Sequence, residues 1–227
     1  MVKITKADML RLMQTSHEAV IVKKRGRGRP PKSADERNES MRRGELVKVA
    51  AQLFRQRGFH GTSTRDIAAA AGMQSGSIFY FFESKEAILH AVMQDGMTQA
   101  AVSQNAALQA LGARANGVER LSALVRNHLQ IMVGGESDFI PVMLYEWRLL
   151  SDAQRMEVSA QKDAYEAQWM PALQALHRTG KLKARPEIAR LLIFGALNWT
   201  AQWFTEGGGL TLDELTEQAL ALFIGER

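Results

Sequence analysis

The signals that start and stop helices between residues 46 and 92 constrain this chain more than any other feature. Leu46, Val49, Ala50, Leu53 and Phe54 recur at the spacing of one helix face, which predicts a helix buried along one side, and Gly58 marks its end. Thr62 and Ser63 then offer N-caps, and Asp66, three positions after Ser63, completes a capping box that opens a second helix. That helix turns only compact residues inward, Ile67, Ala68 and Ala71, so a neighbour can cross it closely before Gly72 permits a left-handed turn. Helix is expected again two residues later. Gln74, Ser75, Gly76 and Ser77 then form an unhindered front turn, while Ile78 and Phe82, four apart, point back into the domain.

This is the grammar of a helix-turn-helix, in which the N-terminal residues of the second helix meet base edges and flanking helix ends hold phosphates through free N–H groups. Ser75, Ser77, Tyr80 and Phe81 are expected to face a duplex, with Arg43, Thr62, Thr64, Arg65 and Gln74 beside them. Hydroxyls bond several base edges or phosphate, and a phenyl ring packs on a thymine methyl, so these side chains name no operator. Ile78, Phe79 and Phe82 are expected in the core. Ser84 caps a further helix, and Lys85 in its first turn is expected to reach a phosphate.

Charge is uneven along the chain. Residues 1–44 hold twelve Lys or Arg against five Asp or Glu, net +7, whereas the remainder holds seventeen against nineteen. Within that arm, Lys23 to Lys32 carries six positive charges and no acid, and its glycines and prolines oppose a helix, so it is predicted to be extended and mobile. Arg27-Gly28-Arg29-Pro30 resembles the core of an AT-hook, a flat segment that slides along a narrow A·T-rich minor groove where negative potential attracts guanidinium groups. A nonspecific basic tail is the other reading.

Taken in order, Ala50-Ala51 with Phe54, Gly58-Phe59, Thr64-Arg65 with Ile67-Ala68, Ala71-Gly72 and Phe82-Glu83-Ser84-Lys85-Glu86 resemble the DNA-binding domain of the TetR family of transcriptional repressors. The chain departs from that pattern at Gln74, where the family usually has Ser or Thr, and at Phe79, where it usually has a Tyr whose phenol holds a phosphate. The resemblance implies an all-α protein: a three-helix DNA-binding domain followed by a helical ligand-binding and dimerisation domain. The expected division is a basic arm at 1–40, the helix-turn-helix domain at 41–86 and the helical domain at 87–227.

The periodicity after Ser84 stays helical, in segments near 85–110, 117–133, 138–150, 152–179, 187–205 and 212–225, with no strand expected. Pro171 should break the fourth of these, because proline removes a donor and clashes with the preceding turn. Thr211 with Glu214 forms a capping box that opens the last. The stretch Ile188–Phe204 is apolar on more than one side and, with the final helix, is the candidate two-fold interface of a homodimer.

Met143, Trp147, Trp169, Asn198 and Trp199 are the candidate walls of a pocket for a small hydrophobic effector, a role that competes evenly with ordinary core packing. Gly195 to Trp199, Trp203-Phe204 and Gly209 to Leu215 resemble the last two helices of TetR regulators that sense acyl-CoA thioesters. The absence of cysteine excludes disulfides, thiolate metal sites and thiol nucleophiles, and fits a cytoplasmic protein. No apolar run approaches the ~18 residues of a membrane span. The five histidines show no metal-ligand spacing, no nucleophile elbow or phosphate loop occurs, and no catalytic residue, metal or cofactor is expected. A ligand-released repressor acting on a double-stranded operator is thus the leading expectation; an architectural DNA-coating protein without an effector is the alternative.

Overall fold

The structure is a computed structural model that describes residues 34–134, 138–205 and 207–225. The chain divides into two units, residues 1–38 and 39–227, and the elements below belong to the second apart from the opening of α1. Among the described residues there is no strand. The helices are α1 (Ala34–Arg57), α2 (Thr64–Ala70), α3 (Ile78–Phe81), α4 (Lys85–Ala110), α5 (Gly117–Val133), α6 (Phe139–Glu146), α7 (Asp152–Ala167), α8 (Met170–Arg178), α9 (Pro186–Trp199) and α10 (Leu212–Ile224). Short 3-10 turns, Trp147–Leu149 and Thr200–Gln202, extend α6 and α9.

α1 begins within the segment expected to be a basic arm. Its first turns are exposed, so periodicity could not reveal them; helix-forming Ala, Glu, Arg and Met residues and the acidic first turn of Asp35 and Glu36 carry the helix without burial. From Leu46 onward one face is sealed, and Leu46, Ala50, Phe54, Ile67, Ile78 and Phe82 form the core of the first three helices. The capping box at Ser63 forms as expected: Ser63 Oγ accepts from Asp66 N at 3.1 Å, and Asp66 Oδ2 accepts from Ser63 N at 2.8 Å. Gly72, at φ +66°, makes the turn out of α2.

The long helix α4 starts at Ser84, whose Oγ accepts from Ala87 N at 3.1 Å. Its first turns bury Ile88, Leu89 and Val92, and later turns bury Met93, Met97, Ala100 and Gln104. It packs against α5, α6 and α7, while α5 is the central helix of the C-terminal part, touching α4, α8, α9 and α10. The fourth predicted segment is broken as Pro171 requires: α7 ends at Ala167 and Pro171 sits in the first turn of α8, where its missing N–H costs nothing.

Gly96 on α4 is where α6 docks. A Cβ there would fall 2.0 to 2.6 Å from three atoms of the Phe139 ring, so only glycine lets that ring lie against the helix. Substituting Gly96→Ala should therefore lose stability despite alanine's helix preference: about 1–3 kcal/mol of overpacking outweighs about 1 kcal/mol of propensity. Denaturant unfolding measures the difference, and a stabilised variant would show that the Phe139 ring yields.

Candidate nucleic-acid interface and effector half

Gln74, Ser75, Gly76 and Ser77 are all exposed at the front of the second helix of the motif. The helix proper is shorter than the sequence suggested. Ser77 N bonds Gln74 O and Tyr80 N bonds Ser77 O, three-residue steps that give way to α geometry only at Ile78, because serine and glycine are weak helix formers. Ser77 makes no capping bond with its side chain, so its hydroxyl is available. Arg65 is exposed and Thr64 half-buried on the adjoining α2.

The aromatic run departs from expectation at its flanks. With Ile78 and Phe82 sealed inside, Tyr80 stands opposite them at 72% exposure, as expected, but Phe79 is 57% exposed and Phe81 is half-buried against the core. A helical turn puts residues 79 and 81 on the two flanks between the inner and outer sides, and the domain covers only the flank that carries Phe81. The Tyr80 phenol donates to the Glu39 carboxylate, and this bond together with the negative charge raises its pKa. Arg43 lies with its guanidinium carbon 4.7 Å from the centre of the Phe82 ring, exposed on α1.

Two expected DNA contacts, Thr62 and the phosphate-reaching Lys85, are corrected. Thr62 is 1% exposed, and its hydroxyl donates to Gly58 O at 2.9 Å and to Leu53 O at 3.2 Å. Lys85 Nζ donates to Phe59 O and Thr62 O, both at 2.9 Å, and sits 4.1 Å from the Phe59 ring centre. The turn between α1 and α2 presents the carbonyls of Gly58, Phe59 and Thr62, and these two side chains satisfy them from within the fold. Arg27 and Arg29 lie outside the described residues.

The five residues expected to wall an effector pocket do not surround a common cavity. Trp169 is fully buried, Met143 and Trp147 are half-buried against the core, Asn198 is half-buried, and Trp199 is 65% exposed. A cavity of about 630 Å³ is lined by Lys48 and Ala51 of α1, Val92 and Gln99 of α4, Ile131 of α5 and Phe139 of α6 among others; it contains none of the five. Trp199 is instead exposed, as are Leu191 and Leu192 of α9, Trp203 in the turn after it and Leu222 of α10.

Behind Trp169 runs a polar seam that the sequence did not disclose. His128 Nδ1 lies 3.0 Å from the Tyr165 hydroxyl and Nε2 lies 3.1 Å from Asn198 Oδ1. An amide oxygen only accepts, so Nε2 carries the proton and Nδ1 accepts from Tyr165. Trp169 Nε1 donates to Gln104 Oε1 at 2.8 Å, and Gln104 Nε2 donates to Tyr165 O at 3.0 Å. Nearby, the buried Glu166 carboxylate pairs with Lys162 and Arg190. Burial holds the His128 pKa down at about 4, partly offset by the Asn198 bond, so the ring is neutral. Among the described residues no acidic, histidine or cysteine cluster suits a metal, and no helix is long and apolar enough to cross a membrane.

Because the folded pKa of His128 lies below its unfolded value of about 6.5, the unfolded chain takes up the proton first as pH falls. The stability tied to the neutral ring is present above pH 6.5 and should decline, by about 3 kcal/mol, as pH drops towards 4. Comparing unfolding of the wild type and His128→Gln across that window measures it; parallel profiles would refute the assignment.

The comparisons with known proteins agree with this geometry. Residues 46–92 match the family model for bacterial regulatory proteins of the tetR family, residues 114–225 match the tetracyclin repressor-like C-terminal domain, and residues 24–36 match the AT hook motif. The HTH-type transcriptional repressor KstR2 of Rhodococcus jostii (strain RHA1) is 29% identical over 202 residues, covering 86% of this chain and 95% of that protein. Among solved structures, superantigen PfiT superposes with a TM-score of 0.72 at 40% identity, over 82% of this chain and 97% of that one. AibR in complex with isovaleryl coenzyme A and operator DNA gives 0.73 at 26% identity, over 82% and 100%. With its reading head and its C-terminal helices each matched, the chain belongs to the TetR family and is a DNA-binding transcriptional regulator.

Proposed function

We propose that the chain is a ligand-released repressor whose effector is an acyl-CoA thioester and whose operator is read by two copies of the helix-turn-helix. The observation that carries the DNA half of this reading is the front of Gln74 to Ser77, exposed on a motif whose other side is sealed by Ile67, Ile78 and Phe82. Ser75 and Ser77 are assigned to base edges and phosphate, Gln74 to a base edge, and Tyr80 with Phe79 to sugar and thymine methyl surfaces. Arg43, Thr64 and Arg65 flank them as backbone contacts, and Arg27 and Arg29 are assigned to an adjoining minor groove, a role that the AT hook match supports.

The apolar set of Leu191, Leu192, Trp199, Trp203 and Leu222 is assigned to the two-fold contact with a second copy, which would set the two heads about 34–36 Å apart for successive major grooves. The effector class rests on likeness to AibR, captured with isovaleryl coenzyme A and operator DNA, and to the repressor KstR2. An effector that binds the DNA-incompetent arrangement about tenfold better supplies about 1.4 kcal/mol, enough to loosen the operator tenfold.

A duplex selected by the protein from random DNA should contain an inverted repeat, and an acyl-CoA panel from isovaleryl to long-chain thioesters should release it. Extended protection of A·T-rich DNA that no thioester disturbs would favour the DNA-coating alternative and sink the repressor reading. Replacing Arg27 and Arg29 by Ala should flatten the dependence of log affinity on log salt by up to about two units. An unchanged slope would remove the arm from the interface.

A further inference from the structure

α1 ends in a left-handed cap of the simpler kind, in which Gly58, at φ +70°, donates its N–H to Phe54 O at 2.9 Å. Such a cap makes no claim on the following N–H. Phe59 is buried, so that donor needs an acceptor from outside the helix. Glu146, the last residue of α6, supplies it: Oε1 accepts from Phe59 N at 2.9 Å. The carbonyl of the same residue is held by Lys85 at the start of α4. At the other end of α6, Asp138 pairs with Arg55 of α1 at 2.8 Å. α6 itself is seated on Gly96 through Phe139, with Ile140 and Val142 buried beside it.

We infer that Glu146 is the positioning residue through which the C-terminal helices hold the DNA-reading head, acting as a latch on the Phe59 N–H. The inference rests on the regulator reading above and gives it a point of control. Arg55 and Asp138 are exposed enough for water and salt to screen their attraction, so this pair is the lesser of the two links. The Phe59 donor, by contrast, sits on a residue only 3% exposed in a part-buried bond, so water replaces its acceptor less readily when α6 shifts. The disturbance then passes along the turn, because the Thr62 hydroxyl bonds Gly58 O and Thr62 adjoins the Ser63 cap on which α2 is built. Any effector that moves α6 by more than a hydrogen bond's tolerance would release the latch and tilt the motif.

The test uses the full chain and a duplex selected by the wild type, with Glu146→Ala, Glu146→Gln and Arg55→Ala compared at a temperature where unfolding shows all to be folded. Glu146→Ala should bind the selected duplex roughly tenfold more weakly while its affinity for random DNA, set by phosphate charge, stays unchanged. Hydrogen exchange at the Phe59 amide should accelerate in the same variant. Glu146→Gln keeps an accepting oxygen and should restore both, and Arg55→Ala should shift operator affinity by less than about threefold. A folded Glu146→Ala protein with wild-type affinity for the selected duplex would overturn the inference, as would a Glu146→Gln protein as impaired as the alanine. If the wild type selects no duplex, the DNA-binding reading fails first. The exchange measurement still decides the latch, since equal Phe59 protection in wild type and Glu146→Ala refutes it.

Discussion

One helix, α4, runs through the buried cluster that joins the recognition helices to the C-terminal ones. The first turns of α4 bury Ile88, Leu89 and Val92, and its later turns bury Met93, Met97, Ala100 and Gln104. Ile88, Leu89 and Val92 share one buried cluster with Leu46, Ala50, Phe54, Ile67, Ile78 and Phe82 of the recognition helices, and α5, α6 and α7 pack along the same rod. A rigid helix anchored at both ends passes movement between them. The second connection, through α6 and the turn after α1, makes the arrangement a frame with two struts, in which displacement of one changes the angle of the head.

The helices were legible wherever a local rule produces them. Ser63 with Asp66, Ser84, and Thr211 with Glu214 mark starts that appear as capping bonds in the structure, and the periodicity of 85–110, 117–133 and 212–225 matches the observed helices closely. Pro171 separated α7 from α8 by a backbone rule that needs no tertiary information. The opening of α1 escaped because a fully exposed helix leaves no apolar stripe to read. Phe79 is exposed and Phe81 half-buried, the reverse of expectation, because helical geometry fixes which residues are intermediate, whereas tertiary packing decides which of them is covered.

Long-range polar pairing was invisible for a different reason. His128 meets Tyr165 and Asn198, 37 and 70 positions away, and Glu146 meets Phe59 from a distance of 87. Nothing in the local pattern distinguishes these side chains from their solvated neighbours. Within the folded molecule they are different in kind, since a buried donor or acceptor without its partner is costly and the network therefore admits one arrangement of α4, α5, α7 and α9. Trp169 and Asn198, two of the expected pocket walls, belong to this seam. The seam is packed, whereas the cavity lined by α1, α4, α5 and α6 contains none of these side chains.

The apolar set on α9 and α10 has a quantitative consequence for gene control. If the exposed Leu191, Leu192, Trp199, Trp203 and Leu222 are covered by a second copy, as proposed, DNA-competent molecules form by mass action. At low abundance their number climbs with the square of the cellular copy count. Halving synthesis would then cut promoter coverage about fourfold where pairing is limiting, giving the circuit a threshold before any metabolite is sensed.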